Sequence, residues 1–294
     1  MSTARSSRAC CRSIEVTASR RFAQLDVFSA RPLLGNPLAV VIDADGLSDA
    51  QMAAFARWTN LSETTFLLPP ADTGADYHVR IFTPQRELPF AGHPTLGSCH
   101  AWLAGGGRPR RDAEVVQQCG VGLVRIRRDG ARLAFAAPPL LRSGPLEPAL
   151  LQRIVRGLGI EPAQVLDHQW VDNGPGWVAV RLATAEQVLR LRPDYAALRG
   201  IKLGVVAPHP AGSDAQFEVR ALIGEGTGYE DPVTGSLNAS LAQWLIGSGF
   251  AGERYVAAQG GALQRAGRVH VARVGDDIWI GGDVCAVVTG TMRL

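Results

Sequence analysis

Pieces of the second half of this chain echo pieces of the first, in the same order and at nearly constant spacing, and this repeat constrains the fold more than any other feature. Asn36-Pro37-Leu38-Ala39-Val40-Val41 is answered by Asn173-Gly174-Pro175-Gly176-Trp177-Val178-Ala179-Val180, with the prolines 175 − 37 = 138 positions apart. Tyr77-His78-Val79-Arg80-Ile81-Phe82 is answered by Phe217-Glu218-Val219-Arg220-Ala221-Leu222 at 219 − 79 = 140. Both alternate as half-buried strands do. Ala101-Trp102-Leu103-Ala104-Gly105 is answered by Gln243-Trp244-Leu245-Ile246-Gly247 at 244 − 102 = 142, and each closes a helical segment with glycine. One such echo is what any α/β chain yields; three in order imply a duplicated unit.

Each half also contains a helical stretch without a formally charged side chain, from Pro94 to Leu103 and from Thr234 to Ile246. A helix that is neutral around its whole circumference has no face for water and must be wrapped by other elements. Alternating strands lie nearby, Leu123-Val124-Arg125-Ile126-Arg127 before Asp129-Gly130 and Arg268-Val269-His270-Val271 before Gly275-Asp276, and these read as hairpins. The expected fold is therefore α+β with two pseudo-symmetric lobes, each a curved mixed or antiparallel sheet around one central helix. The boundary is expected in Ala137-Pro138-Pro139 to Gly144-Pro145, where proline interrupts regular structure. This gives an N-terminal lobe at 21–138 and a C-terminal lobe at 139–294, with the last strand a candidate to return to the first lobe. Residues 1–20, rich in Arg, Ser and Ala and without the apolar stretch of a secretory signal, read as a mobile leader.

Composition removes several classes of function. The 294 residues carry 30 basic and 27 acidic side chains, far from the basic stripe that a phosphate backbone demands, so nucleic acid is not an expected partner. Lys202 is the only lysine and lies in Gly200-Ile201-Lys202-Leu203-Gly204, outside any phosphate-loop motif. Apolar runs such as Leu38 to Ile42 and Val284 to Val288 are far shorter than the ~20 residues of a membrane helix. The five cysteines, Cys10, Cys11, Cys99, Cys119 and Cys285, include no C-x-x-C pair and fit reduced thiols in a cytoplasmic protein. Gly247-Ser248-Gly249-Phe250-Ala251-Gly252 has dinucleotide-loop spacing but follows a helix and precedes a strand, so it reads as a helix stop. His93 and His100 do not have zinc-ligand spacing, and no metal or other cofactor is expected.

A wrapped central helix exposes mainly its ends, and its N-terminus offers unpaired N–H groups to an anion. In the first half that end is Phe90-Ala91-Gly92-His93-Pro94-Thr95; in the second it is Tyr229-Glu230-Asp231-Pro232-Val233-Thr234-Gly235-Ser236. If the two ends face one cleft they hold a carboxylate between them, which makes a small acidic metabolite the expected partner. Proton-moving groups stand beside them: His93, Asp231, and Glu63 in Asn60-Leu61-Ser62-Glu63-Thr64-Thr65-Phe66. A carboxylate among apolar neighbours has a raised pKa, which suits an acid/base. Taken singly, each of the three is equally a cap or a satisfied hydrogen-bonding group.

These residues resemble the PhzF-like proteins of phenazine biosynthesis, which share the diaminopimelate epimerase-like fold. The resemblance runs from about Gln24 to the C-terminus. It is carried by Leu61-Ser62-Glu63-Thr64, by Arg80-Ile81-Phe82-Thr83-Pro84 with Glu87-Leu88-Pro89-Phe90-Ala91-Gly92-His93-Pro94-Thr95-Leu96-Gly97, by Asp231-Pro232-Val233-Thr234-Gly235-Ser236, and by Asn36-Pro37 and Gln259-Gly260. It implies a homodimeric, cofactor-independent isomerase of trans-2,3-dihydro-3-hydroxyanthranilate, with Glu63 as principal acid/base. His93 and Asp231 would assist it, and Asn36, Gly92, Gly235 and Ser236 would bind substrate. The epimerase relatives use two cysteines, at positions expected to correspond to Ala91 and Pro232, so a two-thiol racemase is not expected. A racemase acting through Glu63 and Asp231, or a non-catalytic metabolite-binding protein, are the alternative expectations.

Overall fold

The computed structural model describes residues 18–294. Positions 1–17 of the expected leader lie outside the described residues, while Ser19 and Arg20 already belong to a strand. The first half runs β1 (Ser19–Val27), β2 (Asn36–Val41), α1 (Asp49–Thr59), β3 (Thr64–Leu68), β4 (Tyr77–Phe82), β5 (Glu87–Leu88), α2 (Gly92–Ala104), β6 (Glu114–Cys119), β7 (Gly122–Asp129) and β8 (Arg132–Ala136). The second runs β9 (Arg142–Gly144), α3 (Pro148–Leu158), β10 (Asp167–Asp172), β11 (Trp177–Arg181), α4 (Ala185–Arg190), β12 (Lys202–Pro208), β13 (Phe217–Ile223), β14 (Tyr229–Asp231), α5 (Gly235–Gly247), β15 (Arg254–Gln259), β16 (Gly267–Val274), β17 (Asp277–Gly282) and β18 (Val284–Arg293). The chain is an α+β protein built on one large mixed sheet.

Strand pairing repeats between the halves. In the first, β1–β2 is antiparallel, β2–β3 parallel, β3–β4 and β4–β5 antiparallel, β4–β6 parallel, and β6–β7 and β7–β8 antiparallel. The same order of pair types returns in β10–β11, β11–β12, β12–β13, β13–β14, β13–β15, β15–β16 and β16–β17. Parallel neighbours need a crossover connection, and each parallel pair has its helix: α1, α2, α4 and α5 respectively. The hairpins expected near Asp129-Gly130 and Gly275-Asp276 are β7–β8 and β16–β17, each turning through a glycine in the left-handed region. Two further pairs join the halves, β8 with β17 and β18 with β1, while β9 pairs with β10 inside the second half.

The two uncharged helices are buried as their composition requires. In α2 every residue from Gly92 to Cys99 is buried, and in α5 Leu237 to Ala242 and Trp244 to Ile246 are buried. Both belong to one apolar cluster that brings Leu25, Val79, Leu96 and Phe135 together with Val219, Leu237, Leu241 and Val269. Each such side chain contributes about 1.5–3 kcal/mol by leaving water. Elsewhere α1 lays Met52, Phe55 and Ala56 on Val41, Phe66 and Phe82. Cys99 and Cys119 are buried free thiols. Among the described residues, no helix is long and apolar enough to cross a membrane.

Candidate active site

Four separate pieces of chain deliver the candidate residues to one place. Helix α1 starts on a Ser48–Gln51 capping box and stops at Asn60, which adopts the left-handed conformation (φ 54°). That reversal sends the chain through Leu61-Ser62 into β3 and leaves Glu63 on the connection. Asn36 opens β2, His93 is the second residue of α2, and Asp231 closes β14 just before Thr234, the N-cap of α5.

The N-termini of α2 and α5 meet backbone to backbone. A Cβ added to Gly92 would lie 2.8 Å from the Cα of Gly235, and one added to Gly235 would lie 2.9 Å from the Cα of Gly92 and 3.2 Å from the His93 nitrogen. Only glycine allows this approach. The contact pairs Gly92 with Gly235, so the N-cap opposite Ala91 is Thr234 rather than Pro232. The offset across this pair, 235 − 92 = 143, lies close to the 138 to 142 of the sequence repeat.

Asn36 ties the halves together. Its Nδ2 donates to Asp231 Oδ1 at 3.0 Å and to the Val233 carbonyl at 2.9 Å, and lies 3.3 Å from His93 Nδ1. The amide nitrogen has two hydrogens for these three acceptors, so the longer contact to His93 Nδ1 is a shared one, and a donor facing Nδ1 puts the ring proton on Nε2. His93 Nε2 in turn lies 3.4 Å from Glu63 Oε2. The Glu63 side chain keeps 16% of its exposure, but Oε2 is sealed from solvent and neither it nor His93 Nε2 has a hydrogen-bond partner. Asp231 Oδ2 accepts from Thr234 Oγ1, which accepts from Gln259 Nε2; Gln259 Oε1 accepts from Asn238 Nδ2 and from the Thr234 N–H.

Burial sets the protonation of this group. Enclosure, with the negative field of Asp231, pushes the Glu63 carboxyl up to about 8. Enclosure also raises Asp231 to about 6, held back by hydrogen bonds from Thr234 and Asn36. The buried His93 is pushed down to about 3. At neutral pH the site therefore holds a largely protonated Glu63, a largely ionised Asp231 and an uncharged imidazole. A carboxyl poised near neutrality beside a carboxylate and a neutral imidazole can both accept and return a proton.

Ser236, the second residue of α5, has its own support: Trp177 Nε1 donates to its Oγ at 3.1 Å, and Asn173 Nδ2 donates to its carbonyl at 3.0 Å. Its hydroxyl hydrogen is left free to donate. Thr234, Asn238, Asn173 and Trp177 are not among the site residues expected from sequence. Thr234 carried a local signal, a β-hydroxyl residue at a helix start; Gln259 had been noted only through the family resemblance. Among the described residues, no group of three or more His, Cys, Asp or Glu side chains could hold a metal ion.

Residues 25–290 match the sequence model of the PhzC-PhzF family of phenazine biosynthesis-like proteins. Antisense-enhancing sequence 1 of Schizosaccharomyces pombe is 38% identical over 240 residues, 77% of this chain and 80% of that protein. The trans-2,3-dihydro-3-hydroxyanthranilate isomerase of Pseudomonas fluorescens is 35% identical over 227 residues, 76% of this chain and 79% of that enzyme. A PhzF-family protein of Enterococcus faecalis superposes with a TM-score of 0.79 at 23% identity, over 94% of this chain and 100% of that one. The match over residues 25–290, with relatives more than a third identical over three quarters of the sequence, makes this chain a member of the PhzF-like phenazine biosynthesis family.

Proposed function

We propose that the protein is a cofactor-independent isomerase that moves a proton on a small carboxylate-bearing substrate, a reading supported by its likeness to the Pseudomonas fluorescens protein named trans-2,3-dihydro-3-hydroxyanthranilate isomerase. The observation that carries this reading is the enclosed Glu63 carboxyl, held near 8, with His93 Nε2 at 3.4 Å and Asp231 beyond Asn36. The substrate carboxylate docks where the α2 and α5 N-termini meet, against backbone N–H groups and the free hydroxyl hydrogen of Ser236. The ionised fraction of Glu63 removes the proton from the hydroxyl-bearing ring carbon. The electron pair moves into the ring, the same carboxyl returns a proton to another ring carbon, and the enol becomes a ketone. The proton shift breaks one C–H bond and forms one, and the enol reaches the ketone by losing its O–H proton while a second C–H bond forms, so the balance requires no oxidant or reductant. His93 and Asp231 hold the proton inventory of Glu63, while Asn36 fixes their orientation.

The same reading takes 21–138 and 139–294 as two pseudo-symmetric lobes around α2 and α5, supported by the repeated order of strand pairs and by the Gly92–Gly235 contact. It includes a cytoplasmic homodimer acting on an acidic metabolite, supported by the family resemblance.

The test is turnover of trans-2,3-dihydro-3-hydroxyanthranilate in heavy water by the wild type and by Glu63→Gln, with product and deuterium position read by mass spectrometry and NMR. Conversion with deuterium on the ring, lost in the variant, is expected. A folded wild type that converts nothing overturns the substrate assignment, and a Glu63→Gln enzyme that still turns over overturns the mechanism.

A further inference from the structure

On the face of β14 turned away from the site lies an ion pair that the chemistry above does not use. Arg220 on β13 is 4% exposed, and the side chain of Glu230, the residue immediately before Asp231, is also 4% exposed. The guanidinium grips the carboxylate with both prongs, Nε to Oε1 at 3.0 Å and Nη2 to Oε2 at 2.6 Å. Its remaining nitrogen, Nη1, donates to the carbonyls of Val188 and Leu191 at the end of α4, at 3.1 and 2.9 Å.

Burying two charges is costly, and apolar residues of similar volume commonly pack as well or better. What a bidentate pair offers instead is a fixed direction. β14 needs one: it is three residues long and is held to β13 through Ala221↔Asp231, Leu222↔Glu230 and Ile223↔Tyr229. Successive side chains of a strand point to opposite faces, so clamping Glu230 to β13 and α4 on one face aims Asp231 at Asn36 and Thr234 on the other. The first half carries a matching grip at the equivalent place, where Arg80 Nε and Nη2 hold both oxygens of Glu87 between β4 and β5, ahead of α2. In both halves, then, the short strand leading to a central helix is held by an arginine on the neighbouring strand.

We propose that Arg220 and Glu230 are positioning residues for the isomerisation, acting through Asp231: the pair fixes the register of β14 and thereby the hydrogen bonds that Asp231 accepts from Asn36 and Thr234. The proposal rests on the function proposed above. Asn36 from β2 and Thr234 at the α5 N-cap hydrogen-bond Asp231, while Glu63, Tyr229 and, from the opposite face of β14, Glu230 interact with it through charge.

The decisive variant is Arg220→Met with Glu230→Leu, which replaces the buried pair by apolar side chains and leaves no lone charge behind. Two readouts are needed. With trans-2,3-dihydro-3-hydroxyanthranilate, kcat should fall by about a hundredfold, the scale of an ångström-sized misplacement, with KM unchanged. With carboxyl-¹³C aspartate, the Asp231 resonance, assigned through Asp231→Asn, should titrate at higher pH than in the wild type, because loosened bonds from Asn36 and Thr234 no longer favour the carboxylate. A folded double variant with wild-type kcat and an unmoved titration overturns the proposal. If the double variant does not fold, Arg220→Lys, which keeps the charge and loses the two-pronged grip, decides by the same two readouts. A wild type inactive on this substrate counts against the function, whereas the NMR titration still decides on the positioning pair.

Discussion

Replacing Glu63 by glutamine should stabilise the protein while abolishing its chemistry, and the size of the effect follows from the site. In the unfolded chain Glu63 titrates near 4.5; in the fold it keeps its proton until about 8. Between these values the folded state binds one proton more than the unfolded state, so stability falls as pH rises. At ~1.4 kcal/mol per pH interval, the native carboxyl costs about 3 kcal/mol at pH 7 and about 4 kcal/mol at pH 8, and almost nothing below pH 4.5. Glutamine does not titrate, so any constant cost of fitting its amide appears equally at every pH. His93, pushed down to about 3, imposes the opposite trend, with stability gained from about pH 3 to 6.5, but it is present in both proteins and cancels in the difference. Urea unfolding of wild type and Glu63→Gln at pH 4.5, 6, 7 and 8 measures that difference. It should grow in favour of the variant by about 3 kcal/mol between pH 4.5 and 7. A pH-independent difference, or one growing in favour of the wild type, would refute the enclosed, proton-holding Glu63 and with it the acid/base assignment.

Gly92→Ala forces a Cβ to within 2.8 Å of the Gly235 backbone; we expect a loss of roughly 1–3 kcal/mol in thermal or urea melts together with reduced turnover, and an unaffected enzyme would mean the two helix ends can part freely. Trp177→Phe removes the donor to Ser236 Oγ, so KM for a carboxylate substrate should rise about two- to tenfold with kcat held, and an unchanged KM would remove Ser236 from the binding site. Turnover should survive chelator treatment and exhaustive dialysis; activity lost and restored by a metal ion would contradict a reaction run by carboxyl groups alone.

Local signals were legible before the structure, and contacts across the chain were not. The two uncharged helices announce themselves because a helix without a charged face has nowhere to go but inside, and α2 and α5 begin within two residues of the expected starts. Glu63, His93 and Asp231 stand out in the sequence because each lies at an element boundary beside a helix terminus, although the fold then encloses them. How Asn36 connects them was not readable: its partners are 57 and 195 positions away, and no local pattern encodes such a distance. Trp177 looked like a strand residue and is one, but its indole N–H reaches Ser236, 59 positions on. The Arg220–Glu230 grip was hidden for a different reason: an alternating strand with one arginine ordinarily turns that arginine to water, whereas here four hydrogen bonds replace the solvent.

The pairing of β1 with β18 sets a condition on how the molecule is made. Nine residues of the first strand, Ser19 to Val27, find their partners among residues 284–293, and the Leu294 N–H reaches the Ala18 carbonyl. A ribosome adding ~5–20 residues per second therefore leaves that side of β1 unpaired for tens of seconds, until residues 284–293 have been made. During that interval the nascent chain carries an open strand edge beside an apolar core, a state prone to wrong partners. Residues 284–293 thus act as the latch of the fold, and a chain lacking them would keep the candidate catalytic groups but leave this side of β1 unpaired.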